Sequence, residues 1–185
     1  HLNCTVHGSA FTSPHRISSP LDGLAPTEDG LHFGCFHGEV VSGLSRYVPI
    51  TPEQIAASGL HYLALGHVHS ASGLKRAGDT YYAYSDCPQG RGFDETGEKG
   101  VYLGTTDGRN LGISFVPICT RQYRTIDLDI TGKRPEDALR AVLPKSPSGD
   151  IVRIILKGER EDEENLPLPK LQKLADESFY NVTFQ

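Results

Sequence analysis

Three histidines are the residues best suited to chemistry in this sequence. His67 and His69 stand two apart in Leu63-Ala64-Leu65-Gly66-His67-Val68-His69, where an apolar strand runs into a glycine turn. Upstream, Phe33-Gly34-Cys35-Phe36-His37-Gly38 ends in the same way. Two strands that each deliver an imidazole at the C-terminal end are how an open α/β sheet builds a metal site at its rim. From a regular strand, His67 and His69 could not both chelate one ion comfortably. A turn directly after Gly66 would splay them toward two neighbouring ions. Imidazole nitrogen suits Mn, Fe, Zn or Ni better than Mg or Ca. Two divalent ions roughly 3.5–4 Å apart activate a water and stabilise both oxygens of an in-line phosphoryl displacement. The pattern points to part of a two-metal hydrolase.

The elements that must position these residues can be read around them. Asn3 to Gly8 reads as a short strand, followed by a Ser/Pro-rich loop through Pro26, and Leu31 to Phe36 reads as a buried strand. Thr51 is an N-cap, with Pro52 in the first helical position and Gln54 completing a capping box. The helix Pro52 to Ala57 stops at Ser58-Gly59, and Leu60 to Leu65 is the next strand. Strand, short helix and strand make a βαβ unit whose last strand ends at the histidine turn. Thr80 to Tyr84 and Val101 to Thr106 read as further strands. Asp107-Gly108 is a hairpin signal leading into Leu111 to Ile118. From Gln122 the pattern resets: strand Tyr123 to Ile130, amphipathic helix Pro135 to Leu143, strand Ile151 to Leu156, helix Pro169 to Ser178 and strand Tyr180 to Phe184. Glu159 to Asn165 reads as a solvated loop.

Composition narrows the class. The chain has 185 residues, 37% apolar and 22% charged, enough for one good core or a core plus a small second domain. No apolar run approaches the roughly 18 residues of a membrane span. A net charge of −5 argues against a self-sufficient nucleic-acid binder, which normally carries a basic surface. Cys4, Cys35, Cys87 and Cys119 are widely spaced, with no C-x-x-C pair. They are expected to be reduced, mostly buried thiols of a cytoplasmic protein. His7, His15, His32 and His61 are expected to be satisfied core histidines. The chain begins at His1 and contains no Met, so the expectation is that a preceding piece has been removed.

His37 in His-Gly and His67/His69 in Leu-Gly-His-Val-His resemble the last two metal motifs of the calcineurin-like metallophosphoesterases. Tyr62-Leu63-Ala64-Leu65-Gly66-His67-Val68-His69, then Tyr82-Ala83-Tyr84, then Gly90-Arg91-Gly92-Phe93-Asp94-Glu95 through Gly97-Glu98-Lys99-Gly100, resemble the DNA-repair exonuclease branch, the SbcD-like nucleases. Val6 to Phe11 resembles the strand before the His-Gly motif there. The resemblance implies a dimanganese site, with His37 and His67 on one ion and His69 on the other. It also implies DNA as substrate and an SMC-like ATPase as partner. Three earlier motifs of that family have no counterpart. Gly78-Asp79 is followed by Thr80-Tyr81-Tyr82 and Gly149-Asp150 by Ile151-Val152-Arg153, neither with the second Asp. Asp-x-His and Gly-Asn-His-Asp are also missing. Tyr84-Ser85-Asp86-Cys87 stands where relatives tend to have Tyr-Pro-Gly-Ser or Tyr-Pro-Gly-Cys, which leaves the conformation of that turn open.

The fold class expected is α/β: the C-terminal half of a two-sheet metallophosphoesterase sandwich over residues 1–120. A small βαβαβ capping module, incomplete, follows over 121–185. A half-sandwich exposes sheet edges and apolar faces, so it should pair with its missing half, form a homodimer, or be poorly stable. Arg91, Asp94 and Glu95 either line the DNA side of the site, with Arg91 binding substrate, or form a turn-stabilising ion pair. The parent function expected is Mn-dependent exonucleolytic hydrolysis of DNA, with the chain inactive alone. Two alternatives stand beside it: a nucleotidase or cyclic-nucleotide phosphodiesterase of the same superfamily, and a non-catalytic remnant that binds a partner.

Overall fold

The structure is a computed structural model, and it describes residues 3–13, 15–43, 45–107, 110–159 and 166–185. The chain is α/β and divides into two compact units. The first comprises residues 1–88 and 100–117, the second 89–99 and 118–185.

In the first unit, strands β1 (Cys4–Gly8), β2 (Leu31–His37), β5 (Tyr62–Gly66), β7 (Thr80–Tyr84) and β6 (Lys75–Ala77) lie in that order in one sheet. The first four run parallel, and β6 closes the edge antiparallel to β7. Short strands β3 (Glu39–Val40) and β4 (Pro49–Ile50) pair separately. Strands β8 (Gly100–Thr106) and β9 (Leu111–Pro117) form an antiparallel ribbon. Helix α1 (Pro52–Ala57) links β2 to its parallel neighbour β5, as the capping signals predict. Thr51 Oγ1 accepts from Gln54 N at 3.2 Å, and Gln54 Oε1 accepts from Thr51 N at 2.9 Å. This reciprocal box satisfies two N-terminal donors that a helix otherwise leaves open. The core gathers Phe36, Ile50, Ile55, Leu60, Leu63, Leu65, Tyr82 and Tyr84. Phe36, Leu63 and Leu65 come from alternate positions on their strands, so the opposite set faces outward.

That alternation corrects two expectations. Cys35 sits on the outward set of β2 and Cys4 on edge strand β1, and both are exposed; Cys87 and Cys119 are half-buried. The thiols are free, as expected, but not mostly buried. Among the histidines, His32 is buried, with Nε2 donating to Glu28 O at 2.9 Å and Nδ1 facing His7 Nε2 at 3.1 Å. His61 and His15 are exposed, because one precedes β5 and the other lies in the loop after β1.

In the second unit β10 (Tyr123–Asp129), α2 (Pro135–Val142), β11 (Ser148–Lys157), α3 (Leu168–Asp176) and β12 (Phe179–Phe184) follow one another. The three strands are parallel in the order β10-β11-β12. Leu139 and Leu171 from the helices meet Val152 and Ile154 from the central strand, all fully buried. This is the βαβαβ arrangement read from the sequence, with ends shifted by a few residues. Residues 108, 109 and 160–165, where the hairpin turn and most of the acidic loop were read, lie outside the described residues.

Candidate metal centre

The parallel register of β2 on β5 places His37 opposite Gly66. Both strands therefore end at the same level of the sheet, and Gly38 N donates to Gly66 O at 3.2 Å just beyond. His67 follows immediately with a φ of +116°. A non-glycine residue there is uncommon, and this conformation makes the turn that strand periodicity alone would not give. It brings the His37 and His67 rings edge to face with centroids 5.2 Å apart. Gly66 leaves room for the His37 ring: a Cβ there would stand 3.1 Å from His37 Nδ1, and the imidazole would have to give by a few tenths of an ångström.

Burial first, and then the nearby His67 and His69, hold the His37 pKa below the ordinary histidine value. The neutral form that can offer a lone pair to a cation is thereby favoured. Tyr84 fixes the turn behind His37. Its hydroxyl donates to Gly38 O at 2.8 Å and accepts from Val40 N at 2.9 Å. Burial pushes the Tyr84 phenol up, so it stays protonated and able to donate. On the other side Ser72 Oγ accepts from Tyr84 N at 3.0 Å, and Ser72 N donates to Tyr84 O at 3.1 Å. The segment after His69 is thus tied to the same strand.

The two imidazoles share a cavity of about 350 Å³ with Phe11, Arg46, Tyr47 and Val48. Phe11 approaches His37 edge-on at 5.6 Å, and Tyr47 stacks on His67 at 5.6 Å with the planes 26° apart. Sequence reasoning missed Arg46 and Tyr47. They lie in a polar stretch between motifs, and only the β3–β4 pairing folds that stretch back over the histidines.

Imidazoles from neighbouring strand ends fit as part of a metal-ligand set and not as the whole of one. Among the described residues no group of three or more His, Cys, Asp or Glu is gathered tightly enough to hold an ion. A structural zinc normally takes four ligands. His69 is exposed and close enough to bias the His37 ring. Arg91 belongs to the second unit, where its side chain pairs with the buried Glu95 at 3.2 Å and its backbone N–H donates to Glu95 at 2.9 Å. The turn-stabilising ion pair is therefore present. Asp86 answers the open question about the turn after Tyr84. Its φ of +75° is the left-handed conformation that glycine adopts readily.

An α/β sheet with imidazoles at its rim has the ligand types of a metal-dependent phosphoesterase, and one comparison supports that class. The chain is 29% identical over 141 residues to the uncharacterized metallophosphoesterase YhaO of Bacillus subtilis (strain 168), covering 71% of this chain and 34% of that relative. That relative is by its name a metallophosphoesterase, the class to which the likeness points. The chain spans about a third of the length of the curated relative it matches. No family model matches it.

Proposed function

We propose that this chain is the C-terminal part of a Mn-dependent nuclease of the SbcD-like DNA-repair branch, hydrolysing phosphodiester bonds of DNA at a dinuclear site. The observation that carries the reading is the meeting of His37 and His67 at the ends of adjacent parallel strands, in one cavity. His37 and His67 would hold one ion and His69 the other. Bound divalent ions would supply Lewis acidity and an activated water. The chain's own residues favour the neutral form of His37, leave room for its ring at Gly66, and hold its turn through Tyr84. The second unit would act as a capping module that helps select substrate, with Arg91 near the DNA. An SMC-like ATPase would tether the nucleic acid, which suits a chain with net charge −5.

The absent motifs support a further part of the reading. The isolated chain binds Mn weakly and hydrolyses phosphodiesters at no useful rate until the other ligands are supplied. Mn titration of the chain, followed by electron paramagnetic resonance, tests the site. His37→Ala and His67→Ala should each abolish specific binding, and binding indifferent to both would sink the assignment. A full-length relative carrying all the motifs should degrade linear DNA in Mn. Preference for mononucleotides or cyclic nucleotides over DNA would instead favour a nucleotidase or phosphodiesterase.

A further inference from the structure

We propose that Arg46 is a substrate-positioning residue whose guanidinium holds a phosphate oxyanion of the substrate beside His37 and His67. The proposal rests on the phosphoester-hydrolase reading above and names a residue that the metal motifs do not contain. Of the six residues lining the cavity, Arg46 is the one with a permanent charge.

Several other arginines of the chain are engaged. Arg16 bonds to Ser9, Ser18 and the Ser19 carbonyl, Arg76 pairs with Asp79, Arg91 with Glu95, and Arg124 with Asp150. Among the described residues no hydrogen bond or ion pair engages the Arg46 side chain, and it is exposed. The planar guanidinium fork matches two oxygens of a phosphate and needs no deprotonation to do so. A local cation has particular value on a chain of net charge −5, where a phosphate ester approaches against the overall field.

The loop that carries Arg46 is also held in place at a cost. Val48 is buried with a φ of +56°, a conformation that β-branched residues avoid. Val48 N donates to Arg16 O at 2.9 Å, and Val48 O accepts from Glu39 N at 3.0 Å. Tyr47 N donates to Ser45 Oγ at 3.0 Å, while that hydroxyl donates to Glu39 Oε2 at 2.6 Å. Tyr47 itself stacks on His67. Arg46 thus sits between residues tied both to the turn after His37 and to the ring of His67. Such over-determination keeps a strained segment in one geometry, and strain of this kind concentrates where a ligand must be met.

The test is a titration of the ¹⁵N-labelled full chain with inorganic phosphate, following the Arg46 Nε–H and the Arg46 and Tyr47 amides. Arg46→Gln should weaken phosphate binding by about tenfold or more, and Arg46→Lys should restore part of it, because the charge returns without the fork. Mn affinity, measured on the same samples, should stay within about twofold, since arginine offers no lone pair to a metal. Unchanged phosphate affinity in Arg46→Gln overturns the proposal. So does an equal loss of phosphate and Mn affinity, which would make Arg46 a support of the loop. Should Arg46→Gln fail to fold, Arg46→Lys decides: a several-fold loss of phosphate affinity supports the contact, and no loss overturns it. A wild-type chain that binds phosphate through Arg46 but takes up no Mn would instead sink the metal reading and leave the anion contact standing.

Discussion

The two units solve the same problem, a parallel sheet, in opposite styles. In the second, each of the first two strands is followed by a helix of eight or nine residues whose apolar side lies on the sheet, and Leu139, Val152, Ile154 and Leu171 are fully buried. In the first, helix α1 has six residues, Val6 on edge strand β1 is 67% exposed, and much of the chain is loop. Val48, His67 and Asp86, which among the described residues are the non-glycine positions with positive φ, all lie in the first unit. Val48 and His67 line the cavity with Arg46. Regular crossover connections give a stable module with little to react. Irregular ones spend stability on bringing distant side chains to one strand end.

Truncating the core of each unit should break this contrast most severely. Leu63→Ala in the first unit and Leu139→Ala in the second should each cost about 2–5 kcal/mol, read by urea denaturation. If the units differ in stability as their regularity suggests, Leu63→Ala lowers the earlier of two transitions and Leu139→Ala the later one. A single transition lowered equally by both would remove the contrast.

Smaller changes sharpen it at the site. Tyr84→Phe deletes the hydroxyl that bridges Gly38 and Val40, and Gly66→Ala crowds the His37 ring. Each should lower Mn affinity by about tenfold, the usual cost of disturbing the support behind a ligand. Wild-type Mn affinity in both variants would count against His37 as a ligand held by these supports. At Asp86, Ala and Gly both lack the carboxylate, so comparing them isolates the backbone. Asp86→Ala should be about 1 kcal/mol less stable than Asp86→Gly by thermal denaturation.

The smallest effect expected is in the second unit. Burial pushes the Asp150 carboxyl up, but hydrogen bonds from Ser148, the Gln122 backbone and Arg124 outweigh it and hold the pKa below the ordinary value. A depressed carboxylate contributes stability above its unfolded pKa and loses it as pH falls through the folded one. The second unit should therefore weaken below about pH 4, the ordinary Asp value, and Asp150→Asn should flatten that slope. A slope unchanged in Asp150→Asn would assign the acid sensitivity elsewhere.

Much of this was legible before any coordinates, wherever local signals agreed with the final fold. The capping box at Thr51, the βαβ around α1 and the whole βαβαβ run from Tyr123 follow from periodicity and punctuation. The histidine turn was legible too, because Leu-Gly-His-x-His joins an apolar run to a glycine. The burial of the cysteines was misread, since a strand pattern reveals alternation but not which face finds a partner. The short pairings of β3 with β4, and β6 with β7, carried no periodic signal over two or three residues.

The sequence by itself determined the α/β class, the order of the longer elements and the placing of His37, His67 and His69 at strand ends as candidate ligands. Those are properties of residue type and spacing, which survive in one dimension. Only the tertiary structure decided that His37 faces Gly66 across a parallel register, that Val48 and His67 take left-handed backbone, and that Arg46 and Tyr47 close over the imidazoles. Register, strain and cavity walls arise from contacts between segments far apart in the chain, and no local pattern encodes where such segments meet.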